Sequence, residues 1–189
     1  MTELPGGVTL RTLETADAPA LLDALLRNRE HLRPYEPERP PSHWTLDGQQ
    51  RRVESLVRRR AEGSQYNAVL VRDGRVLGMV ALSQIALGPF RSASLGYWVD
   101  AAETGRGLAS AAVSAICTIA DTDLGLHRVE AGTLVGNTAS QRVLLRNGFT
   151  EYGFAPNYLH IDGRWRDHRL FQRILGDAWP GVTPARGRP

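Results

Sequence analysis

The segment 8–13, VTLRTL, alternates apolar and polar side chains and predicts a strand. Leu21, Leu22, Leu25 and Leu26 then recur at helical spacing behind a capping Thr15 or Asp17. The stretch 32–44, LRPYEPERPPSHW, carries Pro34, Pro37, Pro40 and Pro41 and predicts a loop that is neither helix nor central strand. A second helix is expected over 46–62, with Val53, Leu56 and Val57 inward and Arg51, Arg52, Arg58, Arg59 and Arg60 on its other faces. The period then changes to that of strands: 66–72 and 75–84, joined by the hairpin turn Asp73-Gly74, and 92–100. A helix over 107–123 turns Leu108, Ala111, Ala112, Ala115, Ile116 and Ile119 inward. A strand at 128–134, a helix at 137–146 ended by Asn147-Gly148, and strands at 152–161 and 165–174 around Asp162-Gly163 complete the pattern. The order βααβββαβαββ predicts an α/β protein (α+β) with a mixed, largely antiparallel sheet. A βαβ crossover sits at its centre.

The 189 residues match one domain at ~150 residues each, expected here over 1–175, with a flexible Gly- and Pro-rich tail over 176–189. Net charge is +3, and all 23 basic side chains are arginine. The absence of lysine excludes a Walker-type nucleotide site, a protein kinase and any Schiff-base or pyridoxal chemistry. The sequence pI of 9.5 reflects arginine usage more than an excess of charge. A single cysteine, Cys117, excludes disulfide frameworks and multi-cysteine zinc sites, and fits the apolar face of its helix. His127, His160 and His168 show no metal-ligand spacing, so no metal is expected. The N-terminus lacks a signal-peptide pattern, and stretches such as 76–81 are far shorter than the ~20 residues of a membrane span. A cytoplasmic protein, monomer or homodimer, is the expectation.

The chemistry concentrates at 97–109, YWVDAAETGRGLA, where a strand turns through Gly105 and Gly107 into a long helix. Such a helix start offers unpaired N–H groups and the positive end of the dipole to a phosphate. Ser110 stands where a dinucleotide-binding fingerprint has its third glycine, which argues against that fold. About thirty residues on comes NTASQRVLLRNGF (137–149). Taken together, strand, GxG-led helix, strand and Asn-x-x-Ser helix resemble the GCN5-related N-acetyltransferase (GNAT) superfamily from Val8 to Ile174. More narrowly, the chain resembles the Rim-type enzymes through LRPYEP (32–37), Leu95-Gly96-Tyr97, Gly105-Arg106-Gly107 and above all NYLHIDGRWRDH (157–168).

The resemblance implies a GNAT fold with a splayed parallel strand pair, and acetyl-CoA as donor. It implies that the backbone from Glu103 through Thr104, Gly105, Arg106, Gly107 and Leu108 to Ala109 holds the pyrophosphate. Trp98 and Val99 would pair with the pantetheine arm, Asn137 would hydrogen-bond it, and Arg106 and Arg142 would meet phosphates. Ser140, one helix turn from Asn137, is the candidate partner of the leaving thiolate and so also touches the cofactor. Glu36, in the proline-rich loop, is the candidate base for the acceptor amine. Tyr35, Glu36, Tyr97, Asn157 and Tyr158 fall on the acceptor side. Glu130 shares a strand face with Arg128 and Gly132 and is expected toward the cleft; Glu103 is expected to face solvent. Asp167 and His168 are expected to orient the last hairpin.

The chain departs from the superfamily pattern at Ala102, where Gln or Arg is common, at Leu144, where a general-acid tyrosine is frequent, and at Gly132, where a glutamate base is frequent. The expected reaction is acetyl transfer in a ternary complex to the N-terminal α-amine (Ala or Ser) of a protein, ribosomal by resemblance. A small amine or antibiotic is the alternative acceptor. A non-catalytic acyl-CoA sensor and an RNA-binding module built on the 51–60 arginines are remoter readings. Any nucleic-acid contact would be a weak, ribosome-facing one.

Overall fold

A computed structural model describes residues 1–176 of the chain. Eight strands form one sheet: β1 (Thr2–Leu4), β2 (Val8–Thr12), β3 (Tyr66–Arg72), β4 (Arg75–Ala86), β5 (Ser92–Val99), β6 (Arg128–Leu134), β7 (Thr150–Ile161) and β8 (Arg164–Ile174). Their spatial order is β1-β2-β3-β4-β5-β6-β8-β7. Neighbours are antiparallel except β5 and β6, which run parallel across the expected crossover. The helices are α1 (Ala18–Arg27), the single turn α2 (Arg29–Leu32), α3 (Leu46–Ala61), α4 (Leu108–Thr122) and α5 (Thr138–Arg146).

Strand alternation gives the sheet two apolar faces. On one, Leu10, Leu70, Val80, Leu95, Val129 and Phe171 pack against Val113, Ile116 and Cys117 of α4 and Leu144 of α5. On the other, Val69, Val76 and Met79 pack against Leu21 and Leu25 of α1 and Val53 of α3. α1 and α3 thus cover that face over β3 and β4, and over β5, β6 and β8 it opens into a cleft.

The parallel pair is short. Only Ser92↔Arg128, Ala93↔Val129 and Ser94↔Glu130 are in register. Beyond Ser94 the two strands part, while β5 stays paired to β4 as far as Gly78↔Val99 and β6 to β8 as far as Leu134↔His168. The result is a wedge between two intact ladders. Gly78 makes the end of β5 possible, because a Cβ there would lie 2.5 Å from the Trp98 carbonyl oxygen.

Three points differ from the sequence reading. The edge strand β1 was not legible; the turn that returns it onto β2 uses Gly6 and Gly7, both with positive φ (74° and 68°). The stretch 32–44 is not devoid of helix: Arg33–Tyr35 and Pro41–Trp44 are 3-10 turns. Pro34 and Pro41 sit in their first turns, where an N–H is not needed. The second turn seats α3 directly, with Thr45 Oγ1 accepting from the Gly48 N–H at 3.2 Å. Third, Glu103 is buried, for reasons given below. The predicted tail lies almost wholly outside the described residues. Among them, no helix is long and apolar enough to cross a membrane.

Candidate active site

The loop from β5 to α4 is built by glycine. Gly105 (φ 76°) and Gly107 (φ 79°) adopt the left-handed conformation that favours residues without a Cβ. Nothing lies within 4 Å of where a Cβ would be at either. Gly107 caps α4 without a side-chain hydrogen bond, so the first N–H groups of this 15-residue helix are left for a ligand. A pocket of about 370 Å³ opens over them, lined by Glu103, Thr104, Gly105, Gly107, Leu108, Ala109 and Ser110, with Arg142 and Arg146 from α5. This combination suits a pyrophosphate.

Glu103 braces that loop. The residue is 7% exposed, and its carboxylate accepts from Arg72 of β3 at 2.5 Å and from Arg106 at 3.5 Å. Burial is tolerated because both guanidiniums neutralise it, which is why the expectation of a solvent-facing side chain fails. Arg106 does not line the pocket; two-thirds of its side chain is exposed.

The pocket continues into a second cavity of about 230 Å³ through Val99, Thr104, Gly105, Ala109, Ala139 and Val143. Here Tyr97, Trp98 and Val99 of β5 face Asn137 and Ser140 of α5, with His31, Leu32 and Tyr35 as the third wall. Asn137 Oδ1 accepts the Ser140 N–H at 3.1 Å, so one carboxamide caps α5 and fixes the serine. The Tyr97 hydroxyl lies 2.7 Å from Ser140 Oγ and 3.2 Å from the Ser140 carbonyl oxygen. Burial pushes the Tyr97 phenol up to about 12.

Across the wedge is the open cleft, about 780 Å³. It is walled by Arg59 and Glu62 of α3, Ser83 and Gln84 of β4, Ser94 to Gly96 of β5, Glu130 to Gly132 of β6, and Tyr152, Tyr158 and Leu159 of β7. β5 therefore lines the cleft with Leu95 and Gly96 and the cavity with the next three residues. Glu130 faces the cleft as expected, but its Oε1 is engaged, by Arg128 at 2.6 Å and the Tyr152 hydroxyl at 2.8 Å.

The string 157–168 shapes the far wall. The β7–β8 register shifts between Ala155 and Leu159. Within that bulge Asn157 has φ 49°, and its N–H donates to Asp167 Oδ1 at 2.8 Å. Tyr158 is thrown over the cleft, tilted on the buried His168 ring at 5.2 Å. Asp167 and His168 thus position the hairpin, as expected. Tyr158 reaches the cleft, whereas Asn157 serves the bulge.

Glu36 is elsewhere. It lines a separate pocket of about 320 Å³ with Arg33, Trp44 and Asp162, and its carboxylate meets Arg39 at 3.5 Å. It is thus not among the residues surrounding Ser140. The arginine cluster of α3 is also largely engaged within the chain: Arg51 with Asp47, Arg58 with Glu62, Arg60 with the Leu13 carbonyl. Residues missed by sequence reasoning are Tyr152, which holds Glu130, and Gln84, kept at φ 53° where the β4–β5 register shifts. Gln84 Oε1 accepts from the Ser94 hydroxyl at 3.0 Å.

The Acetyltransferase (GNAT) domain profile matches residues 8–150. The chain belongs to the GNAT acetyltransferase family. It is an acetyl-CoA-dependent N-acetyltransferase. Among its relatives, the probable N-acetyltransferase YjcK of Bacillus subtilis is 33% identical over 172 residues, 90% of this chain and 95% of the relative. A ribosomal protein uS5-alanine N-acetyltransferase of Escherichia coli is 32% identical over 176 residues, covering 92% and 91%. Among solved structures, a ribosomal-protein alanine acetyltransferase from Vibrio fischeri superposes with a TM-score of 0.89 at 31% identity, covering 92% of this acetyltransferase and 96% of that chain. RimJ of Mycobacterium smegmatis, solved in complex with CoA-disulfide, gives 0.85 at 33% identity, covering 89% and 82%.

Proposed function

We propose that this acetyltransferase modifies the N-terminal α-amine of a protein, with alanine or serine first and a ribosomal protein as the acceptor. The observation that carries this is the course of β5 from one hollow to the other, so that donor and acceptor meet at the wedge without a covalent enzyme intermediate. The names of the relatives support the acceptor class.

When bound, acetyl-CoA supplies an acetyl group activated as a thioester. The residues proposed to hold it are those from Glu103 to Ala109, the α4 N–H groups and Arg142 at the phosphates, and Trp98, Val99 and Asn137 along the arm. Arg106 acts there through its bond to Glu103. The acceptor enters by the 780 Å³ cleft, with Tyr158 above it and Tyr35 near the cavity. An α-amine with an ordinary pKa near 8 is partly neutral at pH 7, so attack needs no strong base. The β5 N–H groups bordering the wedge are suited to the developing oxyanion. Ser140 donates its hydroxyl proton toward the sulfur as the C–S bond breaks. Glu36, in its separate pocket, stays outside this centre.

Thiol-release kinetics with acetyl-CoA and peptides beginning Ala, Ser or Met test the reading. Turnover of the Ala or Ser peptide above the Met peptide is expected. Turnover of small amines with none on any peptide would overturn the protein acceptor, and tight donor binding with no turnover at all would overturn the enzyme reading of this site.

A further inference from the structure

We infer that Tyr97 is a positioning residue, whose hydroxyl donates to Ser140 Oγ and thereby aims the serine's single proton at the departing sulfur. The inference rests on the role given to Ser140 above.

The geometry admits two arrangements, since each hydroxyl has one proton. In one, Tyr97 donates to the Ser140 carbonyl at 3.2 Å and the serine proton turns back onto the phenol oxygen. In the other, Tyr97 donates to Ser140 Oγ at 2.7 Å and the serine proton is free. The second contact has the ideal O–H···O length and the first is long. The carbonyl is also in demand elsewhere: in α5 it is the acceptor for the N–H four residues on. Asn137 Oδ1 accepts the Ser140 N–H at 3.1 Å and so anchors the backbone from which the hydroxyl projects. Three oxygens on two elements therefore leave the serine proton one free direction, the cavity into which the donor loop also opens.

The phenol directs and does not itself surrender a proton. With its pKa pushed up to about 12 by burial, it stays neutral across the working range. The step balances without it. The amine nitrogen bonds the acetyl carbon, the C–S pair leaves on sulfur, sulfur takes the Ser140 proton, and the serine oxygen recovers the proton that nitrogen sheds.

The missing α5 tyrosine gives the arrangement its sense. Leu144 occupies that position and is fully buried. A phenol from the neighbouring strand, acting through serine, stands in its place.

A double-mutant cycle of Tyr97→Phe, Ser140→Ala and the pair tests this on whichever amine the wild type turns over, so that loss of the peptide reading leaves the cycle intact. Each single variant is expected to lose about tenfold or more in kcat with KM for acetyl-CoA within twofold, and the double variant to lose no more than the worse single. Coincident thermal midpoints check folding, since Phe keeps the ring's packing. Additive losses, an unchanged Tyr97→Phe rate, or a Tyr97→Phe loss beside an unaffected Ser140→Ala would overturn the inference. An unaffected Ser140→Ala would also remove the serine from the proposed mechanism. A reduced Ser140→Ala beside an intact Tyr97→Phe would remove Tyr97 alone.

Discussion

Asn28 Oδ1 accepts the backbone N–H of Ala101 at 2.8 Å, joining residues 73 positions apart. The Asn28 carboxamide also donates to the Ala24 carbonyl at 2.8 Å. Beside it, Arg27 Nε donates to Asp100 Oδ2 at 2.8 Å and its terminal nitrogen to the Val76 carbonyl at 2.9 Å. The end of α1, which continues into the cavity wall at His31 and Leu32, is thus bolted to the start of the phosphate loop. Asn28→Ala removes both bonds of a buried carboxamide, at about 0.5–1.5 kcal/mol each. The melting temperature should fall by about 5 °C, and KM for acetyl-CoA should rise more than kcat falls. Thermal melts beside donor-saturation kinetics check both.

Gly107→Ala should weaken donor binding. The left-handed φ costs an L-residue about 1–2 kcal/mol, and the new methyl stands where an anion approaches the backbone. Gly63 has the same conformation (φ 72°) and equally open space, at the end of α3. Gly63→Ala should therefore lose similar stability with no change in acetyl-CoA affinity. Calorimetric titration of both variants separates strain from binding.

Asp167→Ala should leave donor binding intact and raise KM for the acceptor several-fold. The bulge that projects Tyr158 would lose the bond to the Asn157 N–H. Steady-state kinetics varying one substrate at a time read the two constants separately.

His43 should make the fold acid-sensitive. Burial first, then the charges of Arg52 and Arg39, hold its pKa down to about 4 against an ordinary 6.5, and its Nε2 has no partner. The folded value lies below the unfolded one. As pH falls past 6.5 the unfolded chain takes up the proton first, and stability drains away until about pH 4. Asp17 and Asp100, whose pKa values are lowered, hold theirs until more acid conditions. His43→Asn should flatten the melting temperature between pH 6.5 and 4.5. An unchanged slope would move the cause elsewhere.

Local chemistry made much of this molecule legible in the sequence. Asp73-Gly74 announced its hairpin, and the glycine pair announced the start of α4. Cys117, on the predicted apolar face, is buried against the sheet. What escaped depends on partners distant in sequence. Glu103 looks like any loop carboxylate until Arg72, 31 residues away, is folded onto it. Tyr97 and Ser140 are 43 residues apart. Glu36 erred the other way: its loop borders the cavity through Tyr35, but the next side chain turns into another pocket. Prolines misled in 32–44 because they forbid helix interiors and permit helix starts.

The parting of β5 from β6 has one more consequence. A strand border with unpaired N–H and C=O groups is ordinarily found at the rim of a sheet, where it invites other chains to add on. Here such a border runs through the middle of the sheet, and the pantetheine arm is the partner proposed for it. The empty enzyme then carries an adhesive seam in its interior. Saturating CoA should slow amide exchange at residues 95–99 and suppress self-association on warming, through mass action on the folded, CoA-bound form.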